Sequence, residues 1–115
     1  MLLIALSVVM ALSTAVAVAT PGGLDDTFAP DVDNFVNSVV VQGDGKILIG
    51  GLFTTVGGQT RNRVARLNAD GTLDTSFNPD VNNAVSSVVV QGDGKILIGG
   101  GFTSVGGGPA TVWRA

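Results

Sequence analysis

Cysteine and histidine are absent from this chain of 115 residues, and all nine acidic residues are aspartate, with no glutamate. Without cysteine there is no disulfide, no thiolate nucleophile and no lipidated cysteine. Without histidine there is no imidazole base, and neither thiolate nor imidazole is there to hold a metal. Lysine and arginine number six, and no cluster of them could neutralise successive phosphates, which with the net charge of -3 argues against nucleic acid as a partner. Charged helix formers are scarce while glycine, valine, asparagine and aspartate abound, a bias toward strands and tight turns.

The first nineteen residues, Met1 to Ala19, carry no charged side chain, and Leu2 to Leu12 is apolar apart from Ser7. That pattern fits the apolar region of a secretory signal, and Ala17-Val18-Ala19 supplies the small-x-small pattern that signal peptidase accepts, so cleavage is expected after Ala19. The start lacks the usual lysine or arginine, and the apolar length approaches the roughly 20 residues that span a bilayer, so an uncleaved N-terminal anchor is the alternative. About a hundred residues then remain for folding, too few for a large self-contained core.

Comparison of the chain with itself shows an internal repeat. Leu24 to Gly58 returns as Leu73 to Gly107 at an offset of 49, with 27 of the 35 positions identical. Ser38 to Gly51 recurs as Ser87 to Gly100 without a change. Within a unit, Val36 to Gln42 and Lys46 to Gly51 are short aliphatic runs around Gly43-Asp44-Gly45, which predicts a hairpin with Gly45 at positive φ. A similar turn at Asn68-Ala69-Asp70-Gly71 joins an expected strand at Arg63 to Leu67 to a short one near Leu73 to Phe77, giving four strands per unit. Val39-Val40-Val41 and Ile47-Leu48-Ile49 are unbroken apolar runs, as expected of strands covered on both faces. Gly50-Gly51 and Gly57-Gly58 would allow close backbone approach or bends, with Phe53 and Val56 filling the space between units.

The motifs G-x-L-D-x-x-F, Q-x-D-G-K-I-L-x-G-G-x-F and N-R-x-A-R-L-N-x-D-G-x-L-D, in that order over roughly residues 22 to 115, resemble the delta-60 repeat, a bacterial family of β-propeller type. The resemblance implies blades of about four strands, large secreted or surface proteins, and no established catalytic activity. Gly43 and Gly92 depart from the proline often found there. The second unit closes on Gly108-Pro109-Ala110-Thr111-Val112-Trp113-Arg114-Ala115, where one deleted loop residue would align Val112 and Arg114 with Val64 and Arg66. The expected fold is therefore all-β: about two β-propeller-like blades of short antiparallel strands, incomplete or open, preceded by an apolar N-terminal signal helix. The expected division is a signal peptide or anchor over 1–19, a first repeat unit over 20–71 and a second, truncated unit over 72–115.

No catalytic, cofactor-binding or metal-ligating residue is expected. Asp44-Gly45, Asp93-Gly94 and Asp70-Gly71 read as turns, and Asp31-x-Asp33-Asn34, the nearest approach to a calcium loop, becomes Asp80-x-Asn82-Asn83 in the second unit. Gly43-Asp44-Gly45-Lys46 lacks the upstream glycine and the hydroxyl residue of a phosphate loop. Lys46 and Lys95 then read as solvated heads on apolar stems. Asp25 with Asp26, or Asp74 with Asp80, are the only pairs to nominate for acid–base work on glycosides, but notable polar residues recur in both copies, as scaffold turns do. Arg61, Arg63 and Arg66, with Trp113, could meet a glycan or protein, or simply solvate a strand edge. Phe28, Phe77, Phe53 and Phe102 recur in register as core anchors.

The function expected from these residues is a non-enzymatic structural or interaction module of a secreted or cell-surface repeat protein, part of a larger propeller. Accessory blades of a larger exported hydrolase, or a self-assembling surface repeat, are the alternatives. The expected partners are further repeat units in cis or in trans, a protein or glycan ligand, and further copies of the chain in a homo-oligomer; no cofactor is expected.

Overall fold

The computed structural model describes residues 16, 18–20, 23–25 and 28–109. Among them the structure is all-β, in short antiparallel strands and open sheets. Strand β1 (Val18–Thr20) pairs with β2 (Gly23–Asp25) in the register Val18↔Asp25 to Thr20↔Gly23. Most of the expected signal helix, residues 1–15 and 17, lies outside the described residues. Of the described residues of that segment, Val18 and Ala19 are strand, in keeping with the β-branched Val18 and Thr20 on either side of Ala19.

The first unit forms a three-stranded sheet in the order β3 (Val36–Val41), β4 (Ile47–Gly51), β7 (Val64–Leu67). The expected hairpin joins β3 to β4. Gly45 N–H donates to Gln42 O at 3.0 Å, Gln42 N–H donates to Lys46 O at 2.7 Å, and Gly45 takes φ 88°. This three-residue loop ends in a left-handed residue, a position that glycine fills without strain. The second unit repeats it between β8 (Val85–Val90) and β9 (Ile96–Gly100), with Gly94 at φ 86°.

Two expectations change. Between β4 and β7 the chain inserts a small hairpin of β5 (Thr55–Val56) and β6 (Gln59–Thr60), and Gly57 and Gly58 are its two turn residues, at φ 59° and 80°. Two successive residues at positive φ suit a two-residue hairpin loop, so this glycine pair closes a turn where a bend was expected. The second unit repeats it as β10 (Ser104–Val105) and β11 (Gly108–Pro109). The expected fourth strand near Leu73 to Phe77 is reduced to one bridge, Leu67↔Leu73. Asp74 and Ser76 pull the following backbone into a turn, in which Phe77 N–H approaches Asp74 O at 3.4 Å.

The alternation of side chains across the first sheet builds two cores. One face presents Ile47, Ile49, Ala65 and Leu67, which cluster with Phe28, Val32, Val36, Phe53 and Val56 of the same unit. The other face presents Leu48 and Val64, with Val40 beside them, and is covered by Phe77, Val81, Val85, Val88 and Ile96 of the second unit. Each member of that covering set lies 49 residues after a member of the first cluster or, for Val88, after Val39, which packs against it. The units are stacked layers in one register; the run Ile47-Leu48-Ile49 is covered on both sides, as expected, whereas in Val39-Val40-Val41 the first two are half-buried and Val41 is exposed.

The stacking needs a glycine. A Cβ placed on Gly50 would lie 2.7 Å from Val88 Cγ2 and 2.8 Å from Val85 Cγ1, closer than side chains pack. Polar groups close the rim of the contact. Asn37 Nδ2 donates to Val85 O at 3.0 Å, and Val88 N–H donates to Ser38 Oγ at 3.1 Å.

Candidate functional site

The densest polar constellation lies where the first unit hands over to the second. The turn after β7 brings Asp74 back across the sheet, with its backbone N–H donating to Arg66 O at 2.9 Å. The Asp74 carboxylate is then occupied at both oxygens. Oδ1 accepts the Ser76 hydroxyl at 2.6 Å and the Ser76 N–H at 3.0 Å, while Oδ2 accepts Arg66 Nε at 2.9 Å and Lys46 Nζ at 3.2 Å. Lys46 also donates to Asn68 Oδ1 at 3.0 Å, and the Arg66 guanidinium carbon lies 4.6 Å from the Phe77 ring centroid.

The Ser76 hydroxyl and N–H, with the two cations, hold the Asp74 carboxyl well below the usual carboxylate range, against the opposing effect of burial. A carboxylate fixed as the anion, with every strong acceptor position filled, is suited to clamping and not to proton transfer. Lys46 is therefore paired with the nearly buried Asp74, its own head half-buried, where the sequence suggested a fully solvated one. Its hairpin is tied to the start of the next unit, 28 residues away. Lys95, its repeat counterpart, reaches Asp93 of its own turn at 3.4 Å and stays more exposed.

In the Asp31-x-Asp33-Asn34 motif, Asp33 is likewise spent on neighbouring chain. Asp33 Oδ1 accepts Thr54 N–H at 2.8 Å and Thr55 N–H at 2.9 Å, and Oδ2 accepts the Thr54 hydroxyl at 2.9 Å. The Thr55 N–H first, then the two donors of Thr54, lower the Asp33 carboxyl below its usual value. In the second unit Asn82 accepts Thr103 N–H at 2.9 Å and Ser104 N–H at 3.0 Å through Oδ1. The negative charge is thus not what the position requires; an oxygen acceptor is. Asp44, Asp93 and Asp70 each accept the N–H two residues on, the turn role expected of them. Among the described residues no three acidic side chains come together as a metal group.

Of the nominated acid–base residues, Asp74 and Asp80 are each held by other partners. Asp74 is engaged as above, and Asp80, at φ 59°, accepts Asn62 Nδ2 at 2.8 Å. Asp26 lies outside the described residues, and Asp25 sits in β2. The three arginines point to separate tasks. Arg61 is buried and donates to Thr60 O at 2.6 Å, Arg63 reaches toward Val81 O at 3.5 Å, and Arg66 holds Asp74. Trp113 and the alignment of Val112 and Arg114 with β7 lie outside the described residues. Phe28, Phe53 and Phe77 are buried in the two cores, and Phe102 packs against the second at partial burial.

What remains available is an apolar surface. Val89 and Leu97, on the face of the second unit turned away from the first, are 49% and 42% exposed, and Gly99, on the same strand as Leu97, has open space above it. A local sequence pattern could not single out this surface, because the same residues are interior in the first unit.

A family model described as a domain of unknown function (DUF5122), beta-propeller, matches residues 42–77 and 91–112, about half of the chain. No curated protein and no solved structure matches. The matched segments run through the Gly-Asp-Gly hairpins, the Asp74 clamp and the glycine-lined stacking face, and the chain belongs to this beta-propeller family of unknown function.

Proposed function

We propose that the chain is a non-enzymatic structural or interaction module of an exported repeat protein, with delta-60-type blades that form part of a larger propeller. The observation that carries this reading is the fate of the polar residues. Asp33, Asp44, Asp70, Asp74 and Asp93 hold backbone or cations of the scaffold itself, while an apolar blade face stays open to contact. Surfaces of that kind serve association more readily than chemistry. The apolar start of the chain, with its small residues at Ala17 and Ala19, supports export.

Two measurements on the chain expressed in a secreting host test the reading. The mass of the released protein is expected to begin at Thr20, and the purified protein is expected to turn over no chromogenic glycoside, ester or phosphoester. Retention of all the protein in the cytoplasm, or turnover above a mock-purified control, would overturn it.

A further inference from the structure

The contact between the two units is a template for one that the described residues of the second unit leave unmade. Leu48 is fully buried, and the space over Gly50 is filled by Val85 and Val88. Leu97, Val89 and Gly99 repeat Leu48, Val40 and Gly50, yet a Cβ on Gly99 would meet nothing within 4 Å. The residues that cover the first outer face are Phe77, Val81, Val85, Val88 and Ile96. The chain carries that set once more, unchanged, as Phe28, Val32, Val36, Val39 and Ile47 of the first unit.

We propose that the outer face of the second unit, built on Val89, Leu97 and Gly99, receives the first unit of a second copy of this chain, stacked head to tail. The proposal rests on the module reading above and names its partner. In this contact Val36 and Val39 of the incoming copy occupy the space over Gly99, as Val85 and Val88 occupy the space over Gly50.

Three observations favour a second copy over an unrelated partner. First, the complementary set is present in the same chain: Phe28, Val32, Val36 and Ile47 are buried in the first core, and Val39 is half-buried where its repeat Val88 is buried. Val16, upstream of the repeat, packs against that set, and cleavage after Ala19 would remove it. Second, the rim repeats in part. Ser87 restates the hydroxyl of Ser38 and is exposed, whereas Ser86 replaces Asn37 and forfeits its amide donor, so the contact between copies is weaker than the one within a chain. Third, charge is complementary. Lys46 is held by Asp74 from the start of the next unit, while Lys95 has only Asp93 of its own turn at 3.4 Å among the described residues. Asp25 stands in sequence where Asp74 stands in the repeat, at the start of the unit that a second copy would bring.

The contact joins different surfaces of the two copies, so repetition closes a ring or continues as a filament according to the rotation between units. Sedimentation velocity over a wide concentration range tests it, using the purified chain and its Gly99→Val and Leu97→Asp variants. Gly99 has an ordinary strand φ and free space above it, so Gly99→Val is expected to keep the wild-type circular dichroism and melting profile. It blocks docking because its side chain would occupy the place of the incoming valines.

The wild-type mass is expected to rise with concentration in multiples of the chain, and each variant to move the midpoint up about tenfold or more. A wild-type chain that stays monomeric at every concentration overturns the proposal. So does assembly, ordered or irregular, that Gly99→Val leaves unchanged. A monomer that is exported and catalytically inert removes the second copy alone, whereas turnover removes the module reading, so the two failures are distinguishable.

Discussion

Leu48 and Leu97 occupy the same place in hairpins of identical sequence, yet the first is fully buried and the second is 42% exposed. The difference is set by what stands on the outer face of each sheet and at its edge. The first unit has the second stacked on it, and β4 has β7 on its free edge. Among the described residues β9 has neither, and Ile98 is accordingly half-buried where Ile49 is buried. A blade hairpin of this sequence therefore forms from its own turn chemistry, while its burial is supplied by neighbours. That division is what a stacked repeat requires, since each unit closes its core on the next.

The largest expected test of this contrast is truncation of the two leucines. Leu48→Ala removes a side chain sealed between two sheets and is expected to cost about 2–5 kcal/mol. Leu97→Ala, in dilute protein, is expected to cost less than about 1 kcal/mol, because much of its surface is already in water. Urea denaturation of both variants checks the pair. Equal costs would show that Leu97 is covered in solution and would break the comparison.

A second test asks where the units should agree. A Cβ on Gly51 would clash with Phe35 O, and one on Gly100 with Ala84 O, because both glycines sit where a bulge brings the opposing backbone of β3 or β8 too close. The clash lies within each hairpin and is independent of stacking. Gly51→Ala and Gly100→Ala are each expected to destabilise their unit by about 1–3 kcal/mol, read from hydrogen-exchange protection of β4 and β9. Loss at Gly51 alone would mean that the second hairpin is not formed independently.

Much of this architecture is legible along the chain, and the exceptions share a cause. The hairpins follow from Gly43-Asp44-Gly45 and its copy, since positive φ at Gly45 and the Asp44 acceptor are local demands. The β5–β6 hairpin was within reach of the same logic, with Gly57-Gly58 at a two-residue turn, but the flanking strands are too short to show a period. The Asp74 clamp is different in kind. It joins Asp74 to Lys46 across 28 residues of chain, with Arg66 and Ser76 beside them, and only the folded path of β7 brings them together. The unequal burial of Leu48 and Leu97 could not be read locally at all, because identical segments carry identical information.

The clamp gives the next test. Asp74→Asn keeps the shape but leaves Lys46 and Arg66 without their anion, and is expected to cost about 1–2 kcal/mol, since both cations retain some access to water. The pH dependence has a definite sign. Asp74 titrates lower in the folded chain than its ordinary value of 3.8, so its contribution is complete above that value and is lost as pH falls through the folded pKa. Wild type is therefore expected to lose stability progressively below about pH 4, and Asp74→Asn to lose less over the same interval. Parallel acid melts of the two proteins would show that the carboxylate is not what the clamp depends on.

The smallest effect comes from making the first unit resemble the second at one atom. Asp33→Asn places in the first unit the residue that the second already has at Asn82, where one oxygen accepts two backbone N–H groups and the amide donates to Thr103 Oγ1 at 3.0 Å. The same geometry is available to Thr54 and Thr55, so stability at neutral pH is expected to change by no more than about 0.5 kcal/mol, as for a surface exchange that keeps its hydrogen bonds. Asp33 also titrates below its ordinary value, so the wild type carries an acid-labile contribution at this loop that the variant lacks. The two melting curves should coincide at neutral pH and separate below about pH 4, with the variant the less sensitive. A variant clearly destabilised at neutral pH would show that the two loops, alike in their hydrogen bonds, differ in their need for charge.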